Sequence, residues 1–156
     1  MDSIPEKGTT FVTLLPMAKG KVTQKSEVIT PLPKGNEHIL FVDDEKVTVD
    51  AIQAMLKSLG YQVTARTSSI ECLEAFRVQP DKFDLVITDM TMPNMTGADL
   101  AKEIMKIKPN IPIILCTGFS EMIDENRAMG MGIRKYIMKP IIMRDMAKAI
   151  REVLDN

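Results

Sequence analysis

The stretch Phe83-Asp84-Leu85-Val86-Ile87-Thr88-Asp89 runs into the loop Met90-Thr91-Met92-Pro93-Asn94-Met95-Thr96-Gly97. From Leu85 to Ile87 every side chain is apolar without alternation, which predicts a strand buried on both faces. Pro93 and Gly97 then end the strand and turn the chain. Open α/β sheets carry their functional groups at the carboxyl ends of such strands. Asp89 is therefore a candidate functional residue, and the alternative is an Asp that only caps the turn.

Strands and helices alternate regularly around this stretch. Four further strands are predicted at 39–42, 61–65, 111–116 and 135–138. Apolar residues at helical spacing predict five helices: 46–59 ending at Gly60, one capped by Ser68 or Ser69, one from Gly97 to before Pro109, a weaker one over 121–129, and one around 143–154. The residues expected on their buried faces are Ala51, Ile52, Met55, Leu56, Leu59, Ile70, Leu73, Phe76, Leu100, Ile104, Ile107, Met143, Met146, Ile150, Val153 and Leu154.

The alternation predicts one α/β domain. Connections this short require right-handed crossovers, so the strands form a parallel sheet with helices on both faces. A doubly wound (βα)5 flavodoxin-like fold with strand order 2-1-3-4-5 suits five strands. This order brings the ends of strands one, three, four and five around one crevice.

Polar side chains that suit phosphoryl chemistry follow these four strands. Asp43 and Asp44 come after strand one, Asp89 ends strand three, Thr117 follows strand four and Lys139 follows strand five. Neighbouring carboxylates repel one another and favour a cation, and Mg²⁺ prefers oxygen ligands. An ammonium and a hydroxyl beside them suit phosphoryl transfer, in which a carboxylate can be the nucleophile.

Composition narrows the class of protein. The 156 residues suffice for one domain with a core, and a net charge of −1 gives no reason to expect nucleic-acid binding. The apolar runs are too short to span a bilayer, and residues 1–7 lack the pattern of a signal peptide. Cys72 and Cys116 have no metal-binding spacing, which indicates reduced, buried thiols in a cytosolic protein. His38, the one histidine, is expected to be solvated.

Four motifs stand in order at the ends of the predicted strands: Phe41-Val42-Asp43-Asp44-Glu45, Ile87-Thr88-Asp89-Met90-Thr91-Met92-Pro93-Asn94-Met95-Thr96-Gly97, Thr117-Gly118 and Tyr136-Ile137-Met138-Lys139-Pro140. Together they resemble the receiver domain of two-component signalling, or response regulator, over residues 36–156. The resemblance implies that Asp89 accepts a phosphoryl group from a phosphohistidine. It also implies that Asp43, Asp44, Asp89 and the backbone carbonyl of Thr91 bind Mg²⁺, and that Lys139 pairs with Asp89.

The same resemblance implies a conformational switch. Thr117 would bond a phosphoryl oxygen, and Tyr136 would move inward and change the surface of helix four, strand five and helix five. In this family the peptide bond before Pro140 is usually cis. Phe119, two residues beyond Thr117, is bulky, and we hypothesise that it shields the phosphoryl group and slows its hydrolysis.

The N-terminal segment resembles a different family. Gly8-Thr9-Thr10-Phe11, followed by Leu14-Leu15-Pro16, resembles the last strand of a histidine-kinase ATPase domain, although Glu6 stands where that family often has Gly. The resemblance implies the C-terminal part of a hybrid sensor histidine kinase. We therefore predict an ATPase-domain remnant at 1–16, a linker at 17–35 and the receiver domain at 36–156.

The receiver resemblance implies protein partners rather than nucleic acid or a membrane contact in this chain. The expected partners are a histidine kinase or a phosphotransfer domain, and a second copy through the surface of helix four, strand five and helix five. The implied location is the bacterial cytoplasm, with a parent kinase that can be membrane-attached. The implied catalysis is limited to Mg²⁺-dependent phosphorylation and dephosphorylation of the chain itself.

Three alternatives remain beside this interpretation. A haloacid-dehalogenase-like phosphatase needs a second Asp two residues after the nucleophile, where this chain has Thr91. A flavodoxin-like FMN carrier needs a phosphate loop after strand one, where Asp43-Asp44-Glu45 would repel phosphate. The third alternative is a phosphorylation-independent binding module with the receiver fold.

Overall fold

The computed structural model describes residues 30–118 and 130–156, and Pro31–Asn156 forms one compact unit. Strands and helices alternate within it, in the order β1 (His38–Val42), α1 (Lys46–Ser58), β2 (Gln62–Arg66), α2 (Ser69–Val78), a 3₁₀ turn (Pro80–Lys82), β3 (Leu85–Asp89), α3 (Gly97–Ile107), β4 (Ile113–Thr117), β5 (Lys135–Met138) and α4 (Met143–Leu154). The strand predicted near the N-terminus, the fourth predicted helix (121–129) and Phe119 lie outside the described residues.

The five strands form one parallel sheet in the order β2-β1-β3-β4-β5. This confirms the predicted doubly wound fold. The register pairs Val42 with Thr88 and Asp89 with Cys116, so the strands end close to one line. Among the described helices, none has the length and apolar character that crossing a bilayer would require.

Two apolar clusters cover the two faces of the sheet. Successive strand residues point to opposite faces, so Ile39 and Phe41 join the cluster under α1 and α4, whereas Leu40 and Val42 join the cluster under α2 and α3. Both sets are fully apolar because both faces are covered. The lack of alternation in the central strands is therefore the sequence signature of this burial.

Three predictions about buried helix faces were wrong. Ile70 is exposed because Ser69 takes the inward position in the first turn of α2, one turn before Leu73. Ile107 is partly exposed because it lies in the last turn of α3, at the margin of the stripe through Leu100 and Ile104. Ala51 is exposed, and Val49 takes the inward position instead.

The helix ends follow the predicted capping chemistry. Gly60 has φ +96°, its N–H donates to the Lys57 carbonyl at 3.0 Å, and the Tyr61 N–H donates to the Leu56 carbonyl at 3.2 Å. This pattern is a Schellman motif, and glycine adopts the positive φ that it requires without steric strain. Ser68 is the residue that caps α2.

The prediction that His38 is solvated was also wrong, because its ring contacts Thr64 and Phe83. Its Nε2 lies 2.8 Å from the Thr64 hydroxyl, and its ring meets the Phe83 ring edge-on at 5.2 Å. Burial and the Lys82 charge lower the pKa of His38, whereas Asp84 acts in the opposite direction.

Candidate functional site

All five predicted side chains of the site lie at the carboxyl edge of the sheet. Asp43 and Asp44 follow β1, Asp89 ends β3, Thr117 ends β4 and Lys139 follows β5. Asp43, Asp89 and Thr117 are buried, whereas Asp44 is exposed. Because parallel strands end at the same edge, residues distant in sequence converge here.

Lys139 connects two of the carboxylates. Its Nζ lies 2.7 Å from Oδ1 of Asp89 and 3.1 Å from Oδ2 of Asp43. The two Asp side chains are only 6% and 2% exposed, while that of Lys139 is 31% exposed. Burial lowers the pKa of Lys139, but hydrogen bonds and charges from Asp89 and Asp43 outweigh it and raise the pKa above its usual value. Lys139 is therefore a permanent cation at ordinary pH.

The three carboxylates form an acidic cluster. One oxygen from each of Asp43, Asp44 and Asp89 lies within 4.8 Å of the others. Among residues 30–118 and 130–156, three carboxylates and one ammonium meet here, so the cluster carries excess negative charge, and its donors are all carboxylate oxygens. Hard divalent cations such as Mg²⁺ prefer this donor set, and the residues present fit that ion.

The two oxygens of Asp43 have separate partners. Oδ2 meets Lys139, whereas Oδ1 accepts the Glu45 N–H at 2.9 Å at the start of α1. The Asp43 N–H donates to the Arg66 carbonyl at 3.3 Å, which continues the pairing of β1 with β2 for one residue. Asp43 is thus fixed by backbone on both sides.

The loop after β3 is held tightly against Asp89. The Gly97 N–H donates to the Met90 carbonyl at 2.8 Å, and a Cβ on Gly97 would lie only 2.0 Å from the Asp89 carbonyl oxygen. Within the loop, Asn94 has φ +68°. Thr91 belongs to this loop, and a ligand role for its carbonyl stays a prediction.

The Ser69 hydroxyl contacts the loop that follows β3, and this contact was not predicted from the sequence. Ser69 is buried, and its Oγ donates to the Pro93 carbonyl at 3.4 Å. The sequence contained a signal, since Ser68 and Ser69 were both candidate caps and only Ser68 caps α2. Ser69, which does not cap the helix, instead joins α2 to the loop that follows Asp89.

The ends of β4 and β5 are joined beside the acidic cluster. The Lys139 N–H donates to the Thr117 carbonyl at 2.8 Å, and the Lys139–Pro140 peptide bond is cis, as the family resemblance implies. The half-buried Tyr136 packs on the apolar cluster under α2 and α3. The predicted switch roles of Thr117 and Tyr136 stay predictions.

Comparisons with known proteins identify related chains. Residues 39–151 match the response regulator receiver domain. Response regulator SaeR of Staphylococcus aureus is 33% identical over 117 residues, covering 75% of this chain and 50% of SaeR. The probable transcriptional regulator ycf27 of Cyanidium caldarium is 32% identical over 121 residues, covering 78% of this chain and 47% of ycf27. The chain thus spans about half the length of these curated relatives.

Solved structures agree with the sequence relatives. A response regulator receiver domain protein from Clostridium thermocellum superposes with a TM-score of 0.73 at 34% identity, covering 76% of this chain and 94% of that one. The receiver domain of a sensor histidine kinase from Pseudomonas aeruginosa superposes with a TM-score of 0.69 at 26% identity, covering 78% of this chain and 100% of that one. That second structure is described with a magnesium ion coordinated in its active-site cleft.

Proposed function

The chain belongs to the response regulator receiver domain family, and on that premise we propose that it is the phosphoacceptor of a two-component phosphorelay, with Asp89 as the residue that takes the phosphoryl group. The observation that carries the proposal is the convergence of Asp43, Asp44, Asp89 and Lys139 at one edge of the sheet. The alternative roles of a turn-capping Asp or a structural ion pair do not account for three carboxylates around one ammonium.

The transfer makes one bond and breaks one. An oxygen of the Asp89 carboxylate attacks phosphorus, and the bond from phosphorus to the donor nitrogen breaks, with its electron pair remaining on the imidazole. Lys139, already 2.7 Å from Asp89, neutralises charge on the phosphoryl oxygens as they approach. Burial of Asp89 limits its contact with bulk water, which strengthens its electrostatic interaction with Lys139.

Mg²⁺ is the expected metal ion. Asp43, Asp44, Asp89 and the backbone carbonyl of Thr91 would hold it. When bound, it would offset the carboxylate charge that otherwise repels an anionic phosphoryl group. The magnesium described in the Pseudomonas aeruginosa receiver domain supports this assignment.

The proposed output is a change of surface. Thr117, buried at the end of β4, would donate its hydroxyl to a phosphoryl oxygen, and Tyr136 would follow it inward. The surface that changes comprises residues 121–129, β5 and α4, and it is also the proposed contact with a second copy. Hydrogen exchange of the β5 and α4 amides, measured before and after phosphorylation, tests this proposal. Wild type should show a change in exchange at these amides, whereas Thr117→Val should still form the adduct but show no such change.

The proposed donor is the phosphohistidine of a histidine kinase or of a phosphotransfer domain. The resemblance of residues 8–16 to a histidine-kinase ATPase strand supports a hybrid kinase as the parent protein. Under this proposal, residues 1–16 belong to the ATPase domain, 17–35 to a linker and 36–156 to the receiver domain. A phosphohistidine donor protein, mixed with this chain, should transfer its group within the time that acetyl phosphate needs.

The intact mass of the chain after incubation with acetyl phosphate tests the proposal. Wild type should gain one phosphoryl group with Mg²⁺ and none without it. Asp89→Asn should gain none, whereas Asp84→Asn, the same substitution at the residue just before β3, should behave as wild type. If neither acetyl phosphate nor a phosphohistidine donor gives an adduct while Mg²⁺ still binds, the chain is a phosphorylation-independent binding module instead.

A further inference from the structure

The stretch Pro31–Glu37 crosses the edge of the domain where the strands begin. The Gln62 N–H, at the start of β2, donates to the Glu37 carbonyl at 3.0 Å. Leu32 packs on the apolar cluster under α1 and α4. Strands of five residues separate this edge from the candidate functional site by roughly 15 Å. Part of the predicted linker therefore lies against the domain, at the end remote from the phosphoacceptor.

Two glycines make the approach possible. The Gly35 N–H donates to the Leu59 carbonyl at 3.2 Å. A Cβ on Gly35 would lie 2.4 Å from Cε1 of Tyr61, and a Cβ on Gly60 would lie 2.5 Å from the Gly35 carbonyl oxygen. A side chain at Gly60 would thus collide with the backbone of Gly35, and one at Gly35 would collide with the Tyr61 ring.

Arg151, in the last turn of α4, holds the same stretch from the other side. Its Nη2 lies 2.6 Å from Oε1 of Glu37, and its Nη1 donates to the Lys34 carbonyl at 3.4 Å. Its guanidinium carbon lies 5.9 Å from the centre of the Tyr61 ring, and Asp155 lies 3.4 Å from Nη2. The side chain is 19% exposed, so these contacts are much less screened than those of a typical surface pair.

We propose that Pro31–Glu37 is a strap that docks on the base of the domain, and that Arg151 is the latch that fastens it to α4. The base is formed by Leu59, Gly60, Tyr61, Gln62 and Arg151. The strap matches it with an apolar anchor at Leu32, a position without a side chain at Gly35 and an acid at Glu37. The occupant of this surface is therefore a segment of the chain itself.

The strap is fastened through Arg151 to α4, whose first turn begins four residues after Lys139. Opening the strap requires only the loss of the contacts described above, so it is a local event that leaves the sheet paired. The proposal does not depend on phosphorylation of Asp89.

Limited trypsin digestion of the full chain measures how often the strap opens. The exposed Lys34 precedes the Gly35 N–H that the base binds, so the Lys34–Gly35 bond is cut when the strap lifts. The variants are Gly35→Ala, which no longer fits, and Arg151→Met, which lacks the latch. Lys106→Met, which breaks an exposed ion pair on α3, is the charge-matched control.

Intact mass follows the product 35–156, and cleavage at Lys102 in α3 reports unfolding of the whole domain. We expect Gly35→Ala and Arg151→Met to speed cleavage at Lys34 by about fivefold or more, because the population of the open form sets the rate. Cleavage at Lys102 should change less, and Lys106→Met should match wild type. Equal Lys34 rates in all four proteins would overturn the proposal. So would an equal acceleration at Lys34 and Lys102, since the strap would then open only with the whole domain.

Discussion

Replacing Lys139 by Met should expose the repulsion among the carboxylates of the acidic cluster, which Lys139 offsets. At an effective dielectric constant of 20, the contacts at 2.7 Å and 3.1 Å correspond to gross attractions of about 6 and about 5 kcal/mol. Desolvation of the three groups offsets most of this. Removing one partner of a buried pair costs about 3–5 kcal/mol, and the partial exposure of Lys139 favours the lower end. We therefore expect Lys139→Met to lower the free energy of unfolding by about 3 kcal/mol.

Urea unfolding without divalent ions is the assay, and the chain offers a matched control. Lys135, four residues earlier on β5, pairs with Glu152 at the surface, so Lys135→Met should cost less than about 1 kcal/mol. Adding Asp89→Asn to Lys139→Met should recover stability, because one of the repelling charges is gone. Mg²⁺ at about 100 times its dissociation constant should restore about 2.7 kcal/mol.

Two outcomes would refute this reasoning. One is a loss for Lys139→Met no larger than that for Lys135→Met. The other is a double variant in which the losses from Lys139→Met and Asp89→Asn simply add, because residues in direct contact should couple.

Three further predictions concern Gly97, His38 and the two cysteines. Gly97→Ala should lower the free energy of unfolding in urea by about 2–4 kcal/mol, because its Cβ meets the Asp89 carbonyl, and a loss under about 1 kcal/mol would contradict the geometry. Because the pKa of His38 is lowered in the folded state, the imidazole of the unfolded chain takes up its proton first as pH falls. The contribution of His38 to stability is therefore present above pH 6.5 and is lost as pH falls through the folded pKa. His38→Gln should flatten the urea midpoint between about pH 7 and pH 5, and an unchanged slope would refute the assignment. Cys72 and Cys116 are buried, and burial raises the pKa of each thiol to about 12, so iodoacetamide should label neither at pH 8 until urea unfolds the chain, as intact mass will show.

The sequence was sufficient for the features that short-range patterns encode. Gly60, Ser68 and the strand-ending Asp89 each occupy a position whose chemistry is local, and the parallel order follows from the short connections. The convergence of Asp43 with Lys139 was predictable because each directly follows a strand. Which carboxylate oxygen each partner takes was not predictable, since that depends on side-chain rotamers.

Contacts between surface groups that are distant in sequence could not be predicted from sequence patterns. Arg151 looks like an ordinary last-turn cation, and nothing in its neighbourhood points to Glu37 more than a hundred residues earlier. His38 precedes a strand and looked solvated, yet Thr64 and Phe83 enclose it after folding. Ile70 and Ile107 fit the apolar spacing but lie in terminal turns, where Ser69 takes the inward position in α2 and Ile107 lies at the margin of the buried stripe of α3.

The two separate partners of the Asp43 carboxylate make the backbone of α1 a spectroscopic reporter. One oxygen contacts Lys139, and the other accepts the Glu45 amide proton. An ion that draws electron density from this carboxylate weakens that acceptor, so the Glu45 amide resonance should move upfield as the ion binds. The first turn of α1 would thus report occupancy of the acidic cluster in an NMR titration, without any label at the cluster itself.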